Sequence, residues 1–275
     1  MGTWSAVAAL TLSITAVAPP RGAGAITPLL AWLGLVALPW VGRQWWYWAA
    51  LTATTAAALL TQPLLDIDNH HFLHLYWLLA ITLACLTRSP ETSLATSARF
   101  LIGLVFLFAT MWKLLTPDFT DGSFLAFSLS HHHNLARPAI ALGWQDQGLP
   151  QRNDQAMDTL RHDPVASVDP LQIEVSAQVA RIARPLSALT IVLEAGVALA
   201  FLLPLRGAWT RWRELVLFAF VLATYPAAAV LSFAALLLVM SLACTQRPPA
   251  RAASLHVGIF IIVWGADQVL QAMAT

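Results

Sequence analysis

Eight apolar tracts follow one another along this chain, at about 3–18, 26–42, 46–62, 70–87, 97–115, 186–204, 214–243 and 255–272, with most of the charge between them. A bilayer core takes about 20 apolar residues per helix, and backbone exposed to lipid must satisfy its own hydrogen bonds. The succession therefore predicts an all-α fold: a polytopic transmembrane helix bundle of about eight membrane segments, forming a single transmembrane domain over 1–275. A β-barrel would need apolar and polar residues to alternate, and they do not. Composition agrees, because 58% hydrophobic and 11% charged residues lie outside the balance of a soluble domain.

One interval is long. Residues 116–185, between the fifth and sixth segments, hold GWQDQGLPQRNDQAMDTLRHDPVASVDPLQ, which reads as a long polar loop, too polar and too broken to cross. Within it, 122–129 and 171–182 are apolar enough for short interfacial helices. The seventh tract has the opposite problem. About 30 continuous residues would make a helix near 45 Å, half as long again as the hydrocarbon core, and Pro226 divides it. It reads as one kinked span or as two short helices meeting at Thr224-Tyr225-Pro226.

Arginine placement gives a direction. With a cytoplasmic N-terminus and one crossing per tract, Arg43, Arg88, Arg99, Arg206, Arg211 and Arg213 fall inside. Arg247 and Arg251 join them only if the seventh tract enters and returns, which favours two pieces. The 116–185 loop and the turn at 66–71 then lie outside, periplasmic or extracellular. Trp4 to Ala18 lacks a basic leader, so it is expected to be a retained first helix rather than a cleaved signal. The implied location is multi-pass, in a bacterial cytoplasmic (inner) membrane.

Charged groups inside apolar tracts need partners or water. Lys113, in FLFATMWKLLTPDF, is near enough to a helix end to snorkel beside Trp112, or else faces the interior. Glu194, in LTIVLEAGVALAF, has apolar neighbours for a full turn on either side and lies near mid-membrane in either orientation. Asp267 sits in the last tract with Gln268 and Gln271. All three fall near the midplane or in the outer half, and their simplest pairing is Lys113 with Glu194.

Two histidine groups stand out. LLDIDNHHFLHLYW places Asp66, Asp68, Asn69, His70, His71 and His74 at the outer mouth, with His70 and His74 four apart. Such a set suits a divalent metal or a proton shuttle, but Asp68 and Asn69 are equally good helix caps. His131, His132 and His133 are consecutive and point in different directions. No metal site is assigned from the sequence.

Other classes are poorly served. A net charge of +1 with no sustained basic patch argues against nucleic acid as a partner. Cys85 and Cys244 suggest no disulfide framework or iron-sulfur site. Phosphate loops, dinucleotide fingerprints, nucleophile elbows and zincin helices are all missing. The tryptophans near Trp40, Trp45, Trp46 and Trp48 read as an interfacial belt.

The stretch ARFLIGLVFLFATMWKLLTPDFTDGSF, residues 98–124, resembles the corresponding part of bacterial membrane proteins of the HTTM and DoxX-like type. DNHHFLHLYW at 68–77 and the segments around Glu194 and Thr224-Tyr225-Pro226 look similar as well. The HTTM group is related to the membrane portion of vitamin K-dependent gamma-glutamyl carboxylase. The resemblance implies a multi-helix bundle with functional groups facing the non-cytoplasmic side and, by analogy with the lysine base of that enzyme, a base role for Lys113. No part of these 275 residues corresponds to the large extra-membrane domain of the carboxylase, so a quinone- or lipid-linked site is implied more than peptide carboxylation.

Three functions follow. The leading one is a non-catalytic integral membrane subunit or scaffold of a larger assembly, whose partners are the lipid bilayer and other membrane protein subunits. The alternative is a small quinone- or lipid-linked oxidoreductase or carboxylase-like enzyme. Its catalytic residues would be Lys113 and Glu194, its cofactor a quinone or bound lipid, and the His70, His71 and His74 group an entry-side relay. A transporter using the break at Pro226 is the third, supported only by that break.

Overall fold

A computed structural model describes residues 2–19, 24–63, 67–131, 133–162, 173–204, 210–228, 230–245 and 249–274. Among these the chain forms fourteen helices and no strand. They are α1 Thr3–Val17, α2 Ile26–Val36, α3 Leu38–Val41, α4 Trp45–Leu60, α5 Asn69–Cys85, α6 Pro90–Leu115 and α7 Pro117–Thr120. The rest are α8 Ser123–His131, α9 His133–Ala141, α10 Leu149–His162, α11 Ala177–Leu202, α12 Thr210–Ala228, α13 Leu231–Cys244 and α14 Pro249–Ala274.

Among the described residues, three helices are long and apolar enough to cross a membrane: Pro90–Leu115, Ala177–Leu202 and, within α14, Ala250–Met273. This is fewer than the eight segments expected. The reason is length: α1, α4 and α5 have 15, 16 and 17 residues, and at 1.5 Å per residue they fall short of a hydrocarbon core about 30 Å thick. The tract at 26–42 is cut further, ending as an 11-residue α2 before Pro39 opens the short α3. The seventh tract folds as two helices. Its break falls after Ala228, so Pro226 lies inside the last turn of α12, and Val230 caps α13.

The chain divides into two compact units. The first comprises 1–105, 198–218 and 230–261. In it α1 lies against α2 and α13, and α4 against α5. The buried face of α1 carries Trp4, Val7, Ala8, Thr11, Leu12 and Thr15, the three-to-four spacing of one helix face. Thr11 and Thr15, four apart and fully buried, are its polar positions. The indole of Trp77 on α5 donates to Thr11 Oγ1 at 3.0 Å, and Thr15 Oγ1 lies 2.9 Å from His74 Nε2. Thr15 also gives its hydroxyl proton to the Thr11 carbonyl at 2.9 Å. Two side-chain bonds thus fasten α5 to α1.

The tryptophans that read as an interfacial belt differ in burial. Trp40, Trp45 and Trp46 are exposed, whereas Trp48 is fully buried, and its indole joins that of Trp4 in donating to the Gly42 carbonyl at 3.1 and 2.7 Å. Gly34 permits a further close approach: a Cβ there would stand 1.8 Å from the Tyr47 hydroxyl, which donates to Leu30 O at 2.9 Å.

The second unit comprises 106–197, 219–229 and 262–275. It contains most of the segment expected to be a long polar loop, and the expectation fails here. Residues 117–162 fold as α7 to α10, and α11 begins at Ala177. Buried amides hold these pieces together. Asn153, 1% exposed, donates to the carbonyls of Ser130 and Glu174 at 2.8 and 2.9 Å and accepts the Glu174 amide at 3.0 Å. Gln145 donates to Leu129 O at 2.8 Å. Ser176 caps α11, accepting the Val179 amide at 3.1 Å while donating to Trp144 O at 2.6 Å. Leu129, Ala139 and Val179 form a small core beneath these bonds, with Leu125, Leu135 and Trp144 against it.

Gly122 shows how closely this layer sits on α11. Its φ is +89°, and a Cβ there would meet the Arg184 backbone nitrogen at 2.6 Å. Asp121, one residue before it, accepts the Ser123 amide at 2.8 Å, and that backbone bond holds its carboxyl below the ordinary carboxylate range. The polar composition of 116–185 thus reflects helix caps and bridging amides as well as solvent exposure.

Candidate functional site

The site is built on the second unit, from the end of α6 and the middle of α11. α6 stops because Thr116 takes an extended conformation before Pro117, which leaves Lys113 in the last turn, where a cation suits the helix dipole. α11 continues through Glu194 with eight residues still to run. Lys113 does not snorkel away: its Nζ donates to both carboxylate oxygens of Glu194 at 2.6 Å. The side chains are 16% and 10% exposed, so the pair is largely withdrawn from solvent.

One aromatic ring faces it, and others lie further along the same unit. Phe119 of α7 presents its ring 5.1 Å from the Lys113 ammonium and stacks on Phe124 at 5.2 Å. Tyr225, buried in α12 two turns from its start in this unit, is within electrostatic reach of Glu194 and meets Phe220 edge-on at 5.7 Å. Phe220 in turn meets Phe106 edge-on at 4.7 Å. The Lys113 Nζ is thus engaged by both Glu194 oxygens and by the face of one aromatic ring. In this geometry Lys113 and Glu194 are closed on each other, and either could reach a ligand only after the pair opens.

Asp267 does not join the pair. It is 3% exposed and accepts from Gln271 Nε2 at 2.8 Å and Gln268 Nε2 at 3.4 Å, with Arg137 Nη1 at 3.9 Å. Its two glutamine neighbours were legible in the sequence. Arg137, from α9, was not, because it belongs to the segment taken for a loop.

The histidines separate by environment. Asp66 and His132 lie outside the described residues. His74 is committed to Thr15, as described above. His70 and His71 draw together with Asp68 at the start of α5, with ligand atoms all within 4.8 Å of one another. His131 pairs instead with Asp154 at 2.7 Å, one more tie within the second unit.

Sequence reasoning missed Asn153, Gln145 and Tyr225. Tyr225 was signalled only by the break at Thr224-Tyr225-Pro226, and the amides by nothing local, since their partners are backbone groups 16 to 23 residues away. Comparison with protein-family models, with curated proteins and with solved structures gave no match.

Proposed function

We propose that this chain is a non-catalytic integral membrane subunit or scaffold of a larger membrane protein assembly. The observation that carries the reading is the closed Lys113–Glu194 pair: the two groups best suited to chemistry spend their charge on each other. A buried, mutually satisfied pair fixes how α6 and α11 meet and leaves neither group poised for substrate. Apolar surface supports the same reading. On α2, Leu29, Trp32, Leu33 and Val36 are all more than half exposed at i, i+3, i+4 and i+7, a continuous stripe that lipid or a partner helix must cover. On α11, Leu189 and Val192 are exposed on one face beside Gly196, where a Cβ would meet nothing and a neighbouring helix can approach closely.

In this proposal the protein lies in a bacterial inner membrane with a cytoplasmic N-terminus, and its shorter apolar helices make up about eight membrane segments beside the three long ones by locally thinning the bilayer. The helical layer over 117–162 faces the non-cytoplasmic side and offers a polar docking surface. The HTTM or DoxX-like likeness of residues 98–124 belongs to the same proposal.

A second reading is favoured by the rings of Phe119 and Tyr225 beside the ion pair. In a quinone- or lipid-linked enzyme, a flat apolar ligand would enter among these rings, part Lys113 from Glu194, and free one as an electrostatic clamp and the other as a proton acceptor. Extraction of the protein from its native membrane in polymer-bounded lipid discs, with mass spectrometry of the intact particle, separates the two. Stoichiometric membrane subunits that photo-crosslink to a probe at Trp32 or Val192 are expected. A lone chain carrying one quinone-like molecule, displaced by Glu194→Gln, would overturn the scaffold reading in favour of the enzyme.

A further inference from the structure

We propose that Asp68, His70 and His71 form a divalent metal site of zinc-like preference at the amino end of α5, in the first unit. The observation is geometric. Each residue offers one ligand atom, and the three atoms lie within 4.8 Å of one another, although consecutive residues on a helix ordinarily point about 100° apart. The rings of His70 and His71 nevertheless converge to a centroid separation of 4.2 Å at a 42° tilt. Asp68 adds an independent sign. It occupies the N-cap of α5 with extended backbone (φ −66°, ψ 141°), where an aspartate normally accepts an amide of the first turn, yet its side chain makes no capping bond. Its carboxylate stands among the imidazoles instead.

The ligand chemistry selects the ion. Two imidazoles and one carboxylate suit zinc and its first-row neighbours, whereas calcium and magnesium demand more oxygen donors. Ligand atoms around a tetrahedral zinc at about 2.0–2.1 Å lie roughly 3.4 Å apart, so modest side-chain rotation closes the set and leaves a fourth position for water or a further ligand. The frame beneath it is firm: His71 is buried, the His70 ring lies 6.2 Å from that of Phe233 on α13, and His74 and Trp77 fasten the next two turns of α5 to α1. The site belongs to the first unit and does not depend on the Lys113–Glu194 reading.

The test uses the full chain in lipid nanodiscs, without a polyhistidine tag, stripped with a chelator and titrated with Zn2+ by calorimetry, then with Co2+ by visible absorption. One equivalent of Zn2+ per chain is expected, in the presence of excess Mg2+ and Ca2+, with Co2+ giving the d–d bands of a four-coordinate site. Asp68→Asn, which keeps the side chain's shape, is expected to weaken binding at least about tenfold, the loss typical even of supporting groups around a metal. His70→Ala with His71→Ala is expected to abolish it. Replacing His131, His132 and His133 together by alanine is the control and leaves binding unchanged. No bound equivalent in the parent protein, or binding that survives Asp68→Asn and the double variant but is lost in the control, overturns the proposal. Circular dichroism of Asp68→Asn, expected to match the parent, separates lost ligation from lost fold.

Discussion

Removing one member of the Lys113–Glu194 pair strands the other in a largely dehydrated place, and the size of that penalty follows from the geometry. At 2.6 Å and an effective dielectric of about 20, the gross attraction is about 6 kcal/mol, most of which offsets the cost of taking both charges out of water. Glu194→Gln or Lys113→Met cancels the attraction but only half of the desolvation, and truncating one partner of a buried pair costs roughly 3–5 kcal/mol. The double variant Lys113→Met/Glu194→Leu removes both charges and refills the volume with apolar atoms, so it is expected to lie within about 1 kcal/mol of the parent. The two single losses are therefore strongly non-additive. For a chain of this size 1 kcal/mol corresponds to roughly 2–4 °C, so each single variant should melt at least about 6 °C lower while the double variant recovers most of the difference. Thermal unfolding in lipid nanodiscs, with reversible denaturation in mixed micelles giving free energies, completes the cycle. Single variants that melt with the parent would mean that Lys113 snorkels to the headgroups in a bilayer. Additive losses in the double variant would mean that the two charges are not coupled.

Three other substitutions test the packing. Gly122→Ala sets a Cβ against the Arg184 backbone at a positive φ and is expected to cost about 1–3 kcal/mol, read as a lowered melting temperature and faster proteolysis within 117–162. Asn153→Leu leaves the Ser130 and Glu174 carbonyls and the Glu174 amide without their partner, with an expected loss of about 1–3 kcal/mol and accelerated hydrogen exchange in α8 and α10. Trp77→Phe removes the indole bond to Thr11 and is expected to cost roughly 0.6–1.7 kcal/mol, the range of side-chain bonds between membrane helices, with α5 amides exchanging faster.

The sequence made some of this legible and hid the rest for identifiable reasons. Helical content follows from the length and apolarity of the tracts, because no other secondary structure satisfies its backbone within one segment of lipid. Helix ends are harder to read, since Thr116 before Pro117, and Ala37 two residues ahead of Pro39, end helices inside stretches whose hydropathy continues. Pro226 misled in the other direction: α12 runs two residues past it, although its ring gives up the N–H bond to the carbonyl of residue 222. The polar segment 116–185 was misread because composition cannot distinguish an amide facing water from one facing a carbonyl. Asn153 and Gln145 look like loop residues until Ser130, Glu174 and Leu129 come within reach.

The two polar centres bear on function in opposite ways, and burial alone does not distinguish them. Lys113 and Glu194 have opposite charges and satisfy each other, so their proximity is its own explanation and needs no ligand. His70 and His71 are alike, and their rings meet at 4.2 Å with one possible ligand atom of each close to that of Asp68. Asp68, turned from its cap toward both, adds the negative charge that such an ion would require. Opposite charges that meet hold a fold together, whereas ligand atoms of metal-binding type that converge within 4.8 Å offer an ion a place. The proposed scaffold role therefore rests on the middle of α11, and the proposed metal site on the start of α5.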